Sequence, residues 1–132
     1  MPTFYFRKLV RDQVLQRCVD DPKVHTNFRI LDDAEFKKEL IAKIHEEADE
    51  IPIFDKKDGE VQSEIADVQA VIDGLIEAYG YTKQDVTDAQ TRKAEKNGVF
   101  EQRAYIESVD LDDDSEWIDY FRKSPEKYEE KQ

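Results

Sequence analysis

Two stretches of this chain carry apolar residues at helical spacing, and each has a carboxylate where a hydrophobe belongs. In 60–79 the stripe is Val61, Ile65, Val68, Val71, Ile72, Leu75, Ile76 and Tyr79. At about 100° per residue these side chains share one face of an α-helix. Earlier, Phe36, Leu40, Ile44, Ala48 and Ile51 form a second stripe of the same period. Helices of this kind must bury their stripes against other helices, so the pattern predicts an all-α bundle.

The exceptions in the stripes carry the chemistry. Glu64 falls inside the second stripe, flanked by Val61, Val68, Val71 and Leu75, and Asp67 sits at its edge one turn on. Glu47 projects between Phe36 and Leu40, Glu50 lies at that stripe's edge, and Glu46 falls further toward solvent. An ionised carboxylate placed among apolar groups is costly unless a cation compensates it. Glu47, Glu50, Glu64 and Asp67 facing one another across a helix pair would form an all-oxygen site suited to Mg²⁺, with Mn²⁺ as a substitute. Acid runs on helices are ordinarily solvated faces, but these fall within apolar stripes. Salt bridges to Lys43 or Lys93 are the other plain explanation, and one or two lysines cannot balance four carboxylates. Metal binding is the better reading.

The remaining chain reads as connections and shorter elements. Asp12 is a candidate cap for a brief helix over about 13–19, and Asp32 or Asp33 caps the long helix that ends at Pro52. Asp58-Gly59 marks a turn, and Gly80 terminates the second long helix. Thr82 and Asp85 resemble a capping pair for a helix running to about Lys96, with Gly98 beyond it. The aromatic segment 4–10 and the alternating segment 99–109 are expected to form a small peripheral β element, and 25–31 is extended or strand-like. A short C-terminal helix carries Trp117, Tyr120 and Phe121, followed by a charged tail. One domain spans 1–132, with its core at about 4–106.

Composition narrows the function classes. With 20 basic and 32 acidic residues the formal charge is −12, which argues against a nucleic-acid-binding surface. A single nucleotide needs only a local cationic pocket and a metal. Cys18 is the one cysteine, so no internal disulfide or thiolate metal site is available. No segment reads as a signal peptide or a membrane span, so the expected location is the cytoplasm. His25 and His45 have no mutual metal-ligand spacing.

Cations for such a nucleotide exist in two places. Lys93 shares a helical face with Val86, Ala89 and Asn97, pointing where a core should lie, with Arg92 and Lys96 flanking it. Lys8 and Arg11 form a second pair near a chain reversal. A snorkelling lysine or a surface pair explains either from spacing alone, and a carboxylate-rich site nearby adds weight to phosphate binding.

The segments KLVRD (8–12), K-x-x-E-E-x-x-E (43–50), E-I-A-D-V (64–68) and K-x-x-K-N-G-x-F (93–100) occur in an order that resembles the MazG-like, all-α nucleoside triphosphate pyrophosphohydrolases. More narrowly, they look like the phosphoribosyl-ATP pyrophosphohydrolase-like subset. The resemblance implies that Glu47, Glu50, Glu64 and Asp67 ligate Mg²⁺ with Glu46 in support. It implies that Lys43, Lys93, Lys96 and Asn97 meet phosphates or hold the acids, and that Lys8, Arg11 and Asp12 contact substrate. It also implies a bundle assembled into homodimers or homotetramers. The chain departs from the family pattern at 13–16, which is Gln-Val-Leu-Gln, at Ala70 in place of an acid, and at Asn97-Gly98 in place of Arg-Gly.

The activity so implied is Mg²⁺-dependent hydrolysis of a nucleoside triphosphate, including non-standard ones, to monophosphate and pyrophosphate. Glu46 or Glu50 would accept the attacking water's proton, and Lys93 would join Lys43 in stabilising the phosphates. Hydrolysis of phosphoribosyl-ATP in histidine synthesis is the near alternative. A non-catalytic helical interaction protein with a structural metal site is the alternative of a different class.

Overall fold

The computed structural model describes residues 1–131. It divides into two compact units, one over 1–96 and one from Asn97 on. Five helices and no strand occur among the described residues, so the fold class is all-α.

The helices of the first unit begin and end where local chemistry dictates. Helix α1 spans Asp12–Asp20, with Arg11 at the N-cap position and Asp12 already in the first turn. The expected Asp12 cap is therefore displaced by one residue. Helix α2, Asp33–Asp49, is capped by Asp32, whose carboxylate accepts from the Glu35 amide at 2.8 Å. Its run stops short of Pro52, because the residue before a proline disfavours helical backbone. Helix α3, Glu60–Ala78, ends in a left-handed glycine at Gly80, φ 77°. There the Gly80 amide donates to Glu77 O and the Tyr81 amide to Ile76 O, closing two carbonyls the helix cannot satisfy itself. Helix α4, Lys83–Asn97, opens with the expected reciprocal pair: Asp85 N–H donates to Thr82 Oγ1, and Thr82 N–H to the Asp85 carboxylate.

Helices α2 and α3 pack against each other as an antiparallel pair. The direction follows from their contacts: Lys37, near the start of α2, sits 4.5 Å over the Tyr79 ring at the end of α3, whereas Glu47 near the end of α2 meets Glu64 near the start of α3. At the crossing, a Cβ on Gly74 would lie 3.5 Å from Leu40 Cδ2. Leu40 is the buried hydrophobe of this contact at 5% exposure, and no other described hydrophobe is fully buried. Ile65 on the α3 stripe remains 52% exposed, and Ile41, which follows Leu40 on α2, remains 43% exposed.

The small β element is not formed. Segments 4–10, 25–31 and 99–109 contain no strand. A strand needs a neighbouring backbone to take its N–H and C=O groups, and alternation of side chains alone supplies none. Phe4 and Tyr5 are 81% and 73% exposed, so the aromatic pattern in 4–10 is not stabilised by burial either.

In the second unit, helix α5 spans Trp117–Arg122. Trp117, Tyr120, Phe121 and Tyr128 pack ring against ring at centroid distances of 4.8 to 6.4 Å. Arg122 closes the turn with a two-pronged pair to Glu130 at 2.7 and 2.8 Å.

Candidate metal centre

The α2–α3 pairing brings Glu47, Glu64 and Asp67 together. Each offers a carboxylate oxygen, and these oxygens all lie within 4.8 Å of one another. All three residues are half-buried. The 64/67 spacing stacks the α3 acids one turn apart, and antiparallel packing sets Glu47 opposite them.

Ion pairs account for much of this acidity but not for Glu64. Lys43 Nζ, half-buried on α2, lies 3.3 Å from Glu46 and 3.5 Å from Glu47. Lys8 reaches Glu46 at 3.1 Å, and Arg11 reaches Asp67 at 3.0 Å. Glu64 has no such partner among the described residues, and its Oε2 is buried without a hydrogen bond. A buried carboxylate oxygen lacking any donor is costly. Three hard oxygen donors, one each from Glu47, Glu64 and Asp67, are a donor set a divalent cation takes. The residues fit such an ion.

The other two acids separate by environment. Glu50, the C-cap residue of α2, is not in the trio. Its carboxyl is pushed above the ordinary glutamate range, first by the charge on Glu47, then by desolvation and a hydrogen bond to Glu47, with Glu64 adding to it. Glu46 goes the opposite way: the Lys8 hydrogen bond, with Lys43 assisting, holds it below that range. Of the two, Glu50 forms no ion pair among the described residues, and Glu46 is the anchor for two lysines.

The expected cations divide in the same manner. Lys8, Arg11 and Lys43 converge on the acids. Asp12 is exposed at the start of α1. Lys93 and Lys96 do not converge: both are exposed, because α4 packs along neither α2 nor α3; Asn97 is exposed as well. The inward position expected for Lys93 rested on the stripe of Val86 and Ala89, yet Val86 is itself 37% exposed.

Sequence reasoning missed Arg7. An extended reading of 4–10 puts Arg7 and Lys8 on opposite faces. The backbone at Arg7 is left-handed, φ 48°, and this breaks the alternation. Arg7 and Lys8 consequently line one hollow of about 150 Å³ together with Leu9, Glu39, Ala42, Lys43 and Glu46. The adjacent basic pair was the available signal. A larger, open hollow of about 460 Å³ is lined by Val19, Val24 and residues 25–28, none of them a candidate site residue.

Comparison with family models, with curated proteins and with solved structures finds no match to this chain. Among the described residues no helix is long and apolar enough to cross a membrane.

Proposed function

We propose that this chain is a divalent-metal-dependent nucleoside triphosphate pyrophosphohydrolase with a MazG-like helical bundle. The observation that carries the reading is the convergence of Glu47, Glu64 and Asp67 from two helices, together with a buried Glu64 oxygen that no protein group satisfies. The motif order in the sequence supports it independently.

Glu47, Glu64 and Asp67 would hold the ion, with Mg²⁺ the natural choice for oxygen donors. A divalent ion held there would supply charge neutralisation at phosphate oxygens and Lewis acidity toward the attacking water. Glu50 accepts the water's proton, because Glu46 is committed to its ion pairs with Lys8 and Lys43. The water oxygen bonds to the α-phosphorus, the bond from that phosphorus to its bridging oxygen breaks, and pyrophosphate leaves. Lys43, Lys8 and Arg11 stabilise the phosphates. Lys93 has no place in this arrangement.

Self-association is part of the same reading. Leu40 alone does not make a core, and the half-exposed Ile41 and Ile65 leave the helix pair with apolar surface to cover. A homodimer or homotetramer would cover it.

The test is a panel of standard and modified nucleoside triphosphates and phosphoribosyl-ATP, assayed for pyrophosphate release with Mg²⁺. Release from triphosphates carries the proposal; release from phosphoribosyl-ATP alone replaces the substrate. Release from none overturns the enzyme reading and leaves the non-catalytic one. Light scattering under the same conditions reads the assembly.

A further inference from the structure

We propose that the hollow lined by Arg7, Lys8 and Lys43 is an anion subsite that holds the terminal phosphates of the substrate, with Arg7 as a further phosphate-binding residue. The identity of the anion rests on the hydrolase reading above; the site itself rests on three separate observations.

The first is charge. On a chain of net charge −12, three cations line one small hollow against two acids, Glu39 and Glu46, leaving it at +1. The second is availability. Arg7 enters no ion pair among the described residues; its guanidinium instead lies 4.6 Å over the Tyr5 ring. That contact fixes the arginine without using its N–H groups on a carboxylate, so its planar fork stays open to a phosphate. Lys8 and Lys43 are both anchored by Glu46 at 3.1 and 3.3 Å. An ammonium carries three donors, so an anchored lysine keeps donors for a second acceptor.

The third observation is location. Lys43 lines the hollow and also stands 3.5 Å from Glu47, a member of the acid trio. An anion in the hollow is therefore one side chain away from the groups that would hold the metal. A polyphosphate can span the two, with its reacting end at the acids and its leaving end at the cations. Backbone geometry agrees with this assignment. A left-handed arginine is a strained conformation, and here it is what puts Arg7 and Lys8 on the same side.

The experiment is calorimetric titration of inorganic pyrophosphate in excess EDTA, which removes any contribution from metal. One pyrophosphate should bind per chain, and Arg7→Gln should weaken binding about tenfold, in keeping with loss of a charge-assisted hydrogen bond. Lys8→Gln should weaken it too, whereas Arg17→Gln, on the exposed side of α1, should leave it unchanged. Melting temperatures of all three variants check that they are folded. No binding by the native protein overturns the subsite, as does equal binding by Arg7→Gln or equal weakening by Arg17→Gln. The two readings separate cleanly. Turnover of triphosphates with Arg7-independent pyrophosphate binding removes the subsite and keeps the hydrolase. Arg7-dependent binding without turnover of any nucleotide keeps the anion site and removes the hydrolase.

Discussion

Glu47 on α2 and Glu64 on α3 present carboxylate oxygens within 4.8 Å of each other, and Glu64 has one oxygen buried with no hydrogen-bond donor. Lys43 offsets Glu47, but no cation stands beside Glu64 among the described residues. The packing of α2 on α3 therefore holds two anions together in the metal-free protein. Glu64→Gln replaces one of them with a group that can donate to Glu47 or Asp67. The metal-free variant should melt higher than the native protein. With Mn²⁺ at 100 times its Kd the native protein should gain about 2.7 kcal/mol, and the variant almost none. Thermal melts with and without Mn²⁺ measure both, and an undiminished Mn²⁺ response in the variant would remove Glu64 from the ligand set.

A second expectation concerns the contact that sets the acids opposite each other. Leu40→Ala should cost about 2–3 kcal/mol, the low end of buried leucine truncations, because no other described hydrophobe is buried with it. Gly74→Ala goes the other way. A Cβ there meets Leu40 Cδ2 at 3.5 Å, an ordinary contact, and alanine is favoured over glycine in a helix interior by about 1 kcal/mol. Urea unfolding followed by circular dichroism reads both; a destabilised Gly74→Ala would show that the helices are closer than this contact implies.

The helix pair was legible because stripe, cap and terminator agree locally. Asp32, the Thr82–Asp85 pair and Gly80 act within four residues of their targets, so the sequence suffices to place them. Glu47, Glu64 and Asp67 were legible for a related reason: a carboxylate inside an apolar stripe is a local contradiction that only tertiary structure resolves. What failed was non-local. Alternation in 4–10 and 99–109 says a strand would tolerate those residues, not that a partner backbone exists. Lys93 was placed by the face of its own helix, but whether that face meets anything depends on α4 packing, which no pattern within α4 encodes. Arg7 was hidden by one left-handed residue, since a single φ change inverts which side chains share a face.

Glu50 gives the pH dependence. Its pKa is raised in the folded, metal-free protein, mainly by Glu47, so the folded state binds its proton more tightly than the unfolded chain does. The sign follows: this group favours folding at low pH, and the contribution is lost as pH rises from the unfolded value through the folded one. Glu50→Gln should therefore raise the melting temperature of the metal-free protein at pH 7. The difference should vanish below about pH 4, where a glutamate is protonated in both states. Melts at stepped pH in EDTA test this, and a variant less stable than native at pH 7 would contradict it.

Arg11 supplies the last expectation, and here two effects oppose. Its guanidinium holds Asp67 at 3.0 Å, which positions a ligand, but it also places a positive charge beside the ion's seat. The side chain is 62% exposed, so positioning by this pair is weakly stabilising and salt-screened. Two unit charges about 4 Å apart interact by ~1 kcal/mol even in water, so repulsion wins. Arg11→Gln should bind Mn²⁺ about fivefold more tightly in the absence of nucleotide, the ratio ~1 kcal/mol represents. Turnover should fall nonetheless, because the same arginine is lost to the phosphates. Calorimetric titration of Mn²⁺ and a steady-state pyrophosphate assay give the two readouts. Weaker Mn²⁺ binding in the variant would mean that Arg11 acts chiefly by holding Asp67 in place.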